Sequence, residues 1–125
     1  MPAGPSRTGI SNDPGVNEQF VIAFSTFPDA ETARKISREL VNSALVACAN
    51  IMPAAESIYY WKEKIETSVE SLVIFKLPAA RYSEFESRLR ALHPYDVPEV
   101  VRLNIAGGSA DYLRWIGESC SRSLA

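Results

Sequence analysis

An α+β domain built on one antiparallel sheet is what three features of the sequence predict. Short apolar or alternating runs occur at four places, two intervening stretches carry apolar residues at helical spacing, and a further helical stretch closes the chain. Their order is strand, helix, strand, strand, helix, strand, helix. Two strand–helix–strand crossovers around a hairpin give a four-stranded antiparallel sheet with two helices on one face, a ferredoxin-like sandwich with an additional C-terminal helix.

Each element has its own warrant. Phe20–Phe27 is a short apolar run and reads as a central strand. Pro28-Asp29 breaks it. From there Ala30, Ala33, Ile36, Leu40, Val41 and Ala44 form a 3.6-residue stripe, with Asp29 and Glu31 in the first turn and Arg34, Lys35 and Arg38 after them, a polarity that suits the helix dipole. Asn42-Ser43 ends this helix. Leu45–Met52 is a second strand, interrupted at Pro53 and resumed over Ser57–Trp61; one long strand with a bend or bulge is the economical reading, because proline lacks the N–H a ladder needs. Lys62–Glu66 is the expected hairpin tip. Ser68–Leu77 returns as a third strand, with Val69, Ser71, Val73 and Phe75 on one face and Glu70, Leu72, Ile74 and Lys76 on the other.

Pro78 starts the next break, and Tyr82, Phe85, Leu89 and Leu92 then mark a second amphipathic helix. His93-Pro-Tyr-Asp-Val-Pro-Glu99 follows. Its two prolines hold the backbone out of helix, so a histidine, a tyrosine and two carboxylates are displayed on a stiff connection. Val101, Leu103 and Ile105 alternate with Arg102 and Asn104 in a fourth strand with one wet face. Gly107-Gly108 turns the chain, and Ser109 caps a last helix over Ala110–Ser119.

The chain of 125 residues fits one domain, expected over residues 19–120, with a disordered tail at 1–18 and a short tail at 121–125. The net charge of −2 gives no bulk electrostatic attraction to nucleic acid. No apolar run approaches the ~18 residues of a membrane span. Residues 1–18 lack the apolar stretch of a signal peptide, and a cytoplasmic location is expected. Cys48 and Cys120 are far apart and form no metal-ligand spacing, so no disulfide framework is indicated. There is no nucleophile elbow, no glycine-rich phosphate loop and no His-Glu-x-x-His, so a non-enzymatic protein is expected. The long hairpin carries Ile58, Tyr59, Tyr60 and Trp61 near its tip and predicts a closed homo-oligomer, because such an edge left bare is an aggregation hazard.

Four segments in order resemble one family. His93–Glu99 resembles the signature of the CutA divalent-cation-tolerance proteins. Leu45-Val-Ala-Cys-Ala-Asn-Ile-Met-Pro53 resembles their Leu-Ala-Ala-Cys-x-Asn-x-x-Pro run. Ser57-Ile-Tyr-Tyr-Trp61 with Lys64, Glu66, Glu70 and Lys76 resembles their long hairpin, and Tyr112-Leu-Arg-Trp115 their C-terminal Tyr-Leu-x-Trp. The resemblance runs from about Val21 to Ile116. It implies a homotrimer and an association with copper or another divalent cation. It also implies a metal site using a cysteine at the end of the first strand and a histidine pair. Here those positions hold Ser25 and Leu92, and His93 alone is left. A hydroxyl and one imidazole are poor ligands for a borderline metal.

Two sites follow for testing. His93 is the candidate metal ligand, or else a cap on the preceding helix. Tyr60, Trp61, Lys64, Glu66, Glu70, Lys76, Tyr95, Glu99, Tyr112 and Trp115 are the motif positions that either line a small-molecule pocket between subunits or pack the subunit interface. The pocket reading would make the protein a trimeric small-molecule sensor of the PII type. The family often carries glycine after the tryptophan, where this chain has Lys62-Glu63-Lys64. Either Glu63 is strained or the turn is wider.

Overall fold

The computed structural model describes residues 18–124, so the expected N-terminal tail lies outside the described residues except for Glu18. The elements are β1 (Phe20–Phe27), α1 (Ala30–Asn42), β2 (Cys48–Trp61), β3 (Lys64–Pro78), α2 (Tyr82–Leu92), β4 (Val101–Asn104) and α3 (Ala110–Ser119), with one 3-10 turn at Ala79–Arg81. The sheet runs β2-β3-β1-β4 and every neighbouring pair is antiparallel, the ferredoxin-like order.

Alternation along β1 and β3 assigns the two faces. Val21, Ala23, Ser25 and Phe27 pair with Leu77, Phe75, Val73 and Ser71, and all eight are buried under α1 and α2. Ala33, Ile36 and Leu40 of α1 and Phe85 and Leu89 of α2 close that core. Asp29 caps α1 by accepting the Thr32 N–H at 2.7 Å. The helix ends on Ala44 at φ 58°, a left-handed position usually held by glycine, with the Leu45 N–H returning to the Leu40 carbonyl. Arg81 holds that end by donating to the Ala44 carbonyl, and Arg122 donates to Val41 and Asn42. Leu45 and Val46 are therefore consumed in the helix exit, the Ala47 N–H already donates to the Lys76 carbonyl at 2.8 Å, and β2 begins at Cys48 instead of Leu45.

The opposite face is not wholly bare. α3 crosses one end of it, where Ile116 and Cys120 bury Phe20 and Ala47. The rest remains open: Ile22, Phe24, Leu72 and Ile74 are half-buried, and Val101 and Leu103 of β4 are exposed. The dry face expected for the fourth strand thus looks outward in a single chain. Arg102, expected on its wet face, is on the helix side, 4.8 Å above the Tyr82 ring.

The long hairpin differs most from expectation. The tip is two residues, Lys62 and Glu63, at φ 51° and 66°, and β3 starts at Lys64. Two consecutive left-handed residues are the primed turn that matches strand twist, which overturns the wider-turn reading. Pro53 and Ala54 bulge opposite Ser71, whose hydroxyl donates to the Pro53 carbonyl at 2.9 Å. β1 ends at the same level, since Phe27 is the last residue paired with Ser71. Beyond it Lys64–Glu70 pairs only with β2, making a two-stranded ribbon roughly 23 Å long that projects from the body.

Candidate functional site

The bulge decides which side chains face where. Before it, Ala49 and Ile51 point to the helix side; after it, Glu56, Ile58 and Tyr60 do, while Ser57, Tyr59 and Trp61 continue the open face. An unbulged strand would have reversed this. Ile58, Tyr60, Ile65 and Val69 therefore line the unpartnered helix-side face of the ribbon, each 65–71% exposed.

The His93–Glu99 segment wraps the end of β1 at the foot of the ribbon. The His93 N–H caps the last turn of α2 by donating to the Leu89 carbonyl. Its ring is buried, 8% exposed, and stacks on Phe27 with centroids 4.6 Å apart. Nε2 lies 2.8 Å from the Thr26 carbonyl, and Nδ1 accepts the Tyr95 N–H at 3.1 Å. A carbonyl on one side and an N–H on the other fix one neutral tautomer, protonated on Nε2. Burial pushes the His93 pKa below the usual histidine value, only partly opposed by the Thr26 carbonyl and the Glu70 charge.

Tyr95 carries the chain across to the open face, where its hydroxyl donates to Glu70 Oε2 at 2.7 Å. Burial, and then the bond to the Glu70 carboxylate, push the phenol pKa up strongly, so Tyr95 acts only as a neutral donor. Glu70, Tyr95, Glu99 and Trp61 line a groove of about 640 Å³ between the ribbon and the signature segment. Thr26, Ser57, Ile58, Tyr59, Ser68, Asp96 and Val97 also line it and are not among the expected pocket residues. A two-residue period counted with the bulge would have found Ser57 and Tyr59.

The other expected site residues lie elsewhere. Lys76 is six residues from Glu70 on β3, roughly 20 Å away, and its Nζ donates to the Tyr112 hydroxyl at 3.4 Å. Tyr112 and Trp115 sit together on α3, ring centroids 5.4 Å apart. Lys64 and Glu66 face the same way as the groove but nearer the tip, opposite Trp61 and Tyr59. Tyr60 points to the other side. One chain therefore holds two separate half-sites, one on Glu70 and Tyr95 and one on Lys76, Tyr112 and Trp115.

Among the described residues a resident metal finds no set of ligands. Both His93 nitrogens are engaged within the chain. Ser25 is fully buried with an unpartnered hydroxyl, and Leu92 packs on the core. Among the described residues no group of three or more His, Cys, Asp or Glu side chains could hold an ion. Cys48 and Cys120 are both free thiols, and burial pushes the Cys120 pKa up to about 11.

The model for CutA1 divalent ion tolerance proteins matches residues 21–119, all seven elements except the first residue of β1. The chain belongs to the CutA family. It is 40% identical over 98 residues to the divalent-cation tolerance protein CutA of Thermus thermophilus, covering 78% of this chain and 95% of that one. It is 35% identical over 103 residues to the chloroplastic CutA 1 of Oryza sativa, covering 82% of this chain. The chain spans 58% of the rice relative's length and 54% of that of the Arabidopsis thaliana chloroplastic relative. The crystal structure of CutA from Xylella fastidiosa superposes with a TM-score of 0.80 at 39% identity, covering 82% of this chain and 98% of that one. In this CutA chain the signature segment sits at the foot of the ribbon, with the His93 ring buried and Tyr95 in the groove.

Proposed function

We propose that this CutA protein acts as a non-enzymatic homotrimer in the tolerance of divalent cations, copper among them, and that it does so without a tight metal site on His93. The observation that carries the assembly is the unfinished surface of one chain. Ile58, Tyr60, Ile65 and Val69 on the ribbon, and Val101 and Leu103 on the open face, are large apolar side chains with nothing over them. Burying the exposed part of the four ribbon residues is worth roughly 1–2 kcal/mol each. Strand addition along the β2 edge or packing of open faces would bury both sets. Three as the number of copies, and copper as the cation, rest on the family resemblance. Any copper is held weakly in this reading, because a ligand role would cost His93 at least one of its two hydrogen bonds. The absence of catalysis rests on the same engagement, which leaves His93 no free nitrogen to act as a base. A cytoplasmic location belongs to the same proposal, and fractionation of the native protein tests it.

Light scattering on the full chain, with Leu103→Lys beside it, tests the assembly. A trimer that falls apart in the variant is expected; a stable wild-type monomer overturns the reading. Growth in graded Cu(II), with and without the protein, tests tolerance, and equal sensitivity would end it. A second reading, a sensor of the PII type with its ligand between subunits, is favoured by the groove. Its aromatic walls and convergent polar groups have the make-up of a small-molecule site, and in this reading a neighbouring copy would bring its own Lys76 to the groove.

A further inference from the structure

We propose that the groove at the foot of the ribbon is a site for an organic cation, an alkylammonium or polyamine, and not for a metal ion. This rests on the pocket reading above and adds the class of ligand. Among the described residues, three aromatic rings, Tyr59, Trp61 and Tyr95, and three carboxylates, Glu70, Asp96 and Glu99, line the groove, and no lysine or arginine does. The same carboxylates do not gather into a set that could chelate one ion. Charges spread along a groove and interleaved with rings suit a cation that is itself extended, whose ammonium or methylene groups meet π faces while its N–H groups reach separate carboxylates. A bare divalent ion needs its oxygen ligands converged at about 2–2.6 Å. At about 640 Å³ the space has the size of a small-molecule site.

Two local features point the same way. The Trp61 ring already attracts a cation: the Lys62 ammonium lies 5.9 Å from its centroid. Tyr95 takes Glu70 Oε2 and fixes the carboxylate's direction, leaving Oε1 as an acceptor. Because the phenol is held neutral, it adds no charge of its own near neutral pH. An anionic ligand would meet three carboxylates on these walls, against the Lys62 ammonium at the Trp61 end.

Calorimetric titration of the full-chain oligomer with spermidine, at about 0.15 M salt to suppress non-specific attraction, is the test. Tetramethylammonium, Mg(II), Cu(II) and ATP serve as comparison probes. Saturable spermidine binding is expected, weakened about ten-fold by Glu70→Gln and by Trp61→Leu, and further by Asp96→Asn with Glu99→Gln. Glu70→Gln keeps an acceptor for Tyr95, and circular dichroism checks that each variant is folded. Spermidine binding that is equal in wild type and variants is surface attraction to an acidic protein and overturns the proposal. Binding of ATP and not spermidine, lost in Trp61→Leu, overturns the cation assignment and leaves the pocket standing. No binding of any probe, with Trp61 shielded from acrylamide in the free oligomer, means that a second copy fills the groove, and both readings fall.

Discussion

Replacing His93 with alanine separates a structural lock from a metal ligand. The substitution removes the ring N–H bond to the Thr26 carbonyl and the acceptor of the Tyr95 N–H, and strips a ring from between Phe27 and Tyr95. Each lost bond costs roughly 1 kcal/mol, at the low end because water can enter at the rim, and the lost stacking costs about 1 kcal/mol more. The expected loss is about 3 kcal/mol, which lowers a urea midpoint by about 1–2 M. Chain concentration is held fixed, since an oligomer's stability depends on it. His93→Gln keeps a donor and an acceptor and should lose about half as much. The pH dependence follows from the same geometry. The folded-state pKa lies below the 6.5 of a free histidine, so the unfolded chain takes up the proton first. The stability contributed by neutral His93 is complete above pH 6.5 and is lost as pH falls below it, through the folded pKa. The difference between wild type and His93→Gln should narrow over that range. Isothermal titration with Cu(II), Ni(II) and Zn(II) runs alongside. An unchanged urea midpoint in His93→Ala, together with micromolar Cu(II) binding that disappears in it, would refute the reasoning and place a metal on the ring.

Three further outcomes are expected. Lys62→Asn with Glu63→Gly relieves two left-handed residues and should stabilise the ribbon by about 1–2 kcal/mol, read as slower amide exchange across Tyr60 and Ile65; unchanged exchange would mean the turn is not strained. Cys120, buried at the C-cap of α3 with its thiol pushed up to about 11, should resist iodoacetamide at pH 8 until denaturant is added, and rapid labelling of the native protein would show that α3 opens readily. Asp29→Ala removes the side-chain cap of α1 and should cost about 1 kcal/mol in denaturant melts, whereas a cost below a few tenths would mean that the Thr32 N–H is satisfied by water.

The legible parts of the fold are those set by local periodicity. β1 is bounded by its apolar run, α1 and α2 by their stripes, and α3 by Ser109, whose hydroxyl accepts the Tyr112 N–H. Proline at position 53 marked a bend, and the bulge is there. The unread parts depend on partners distant in sequence. Leu45 and Val46 look like strand but are spent on the exit of α1, where Arg81, just before α2, and Arg122, just after α3, satisfy its carbonyls. Lys62-Glu63 lacks the glycine that advertises a primed turn, so the hairpin looked longer at its tip than it is. The site was half readable. Tyr95, Glu70, Glu99 and Trp61 do meet, but Tyr60 and Tyr59 exchange faces through one extra residue at Pro53. His93 was weighed as ligand or cap; its backbone caps α2, while its ring serves Thr26, 67 positions away, a contact no local pattern encodes.

The height at which β1 stops has a kinetic consequence. Below the Phe27–Ser71 rung, β3 as far as Lys76 is clamped between two strands, with its alternate side chains roofed by helices. Above it, the same strand has one neighbour and no roof. A two-stranded piece of this kind is marginal in water on its own. The body can therefore close as a first-order event at any dilution, whereas the upper part of β3 gains its rigidity at a rate that rises with the number of chains present. Refolding followed by Trp61, which sits on the ribbon, should slow on dilution. Refolding followed by Trp115, which sits on α3, should not.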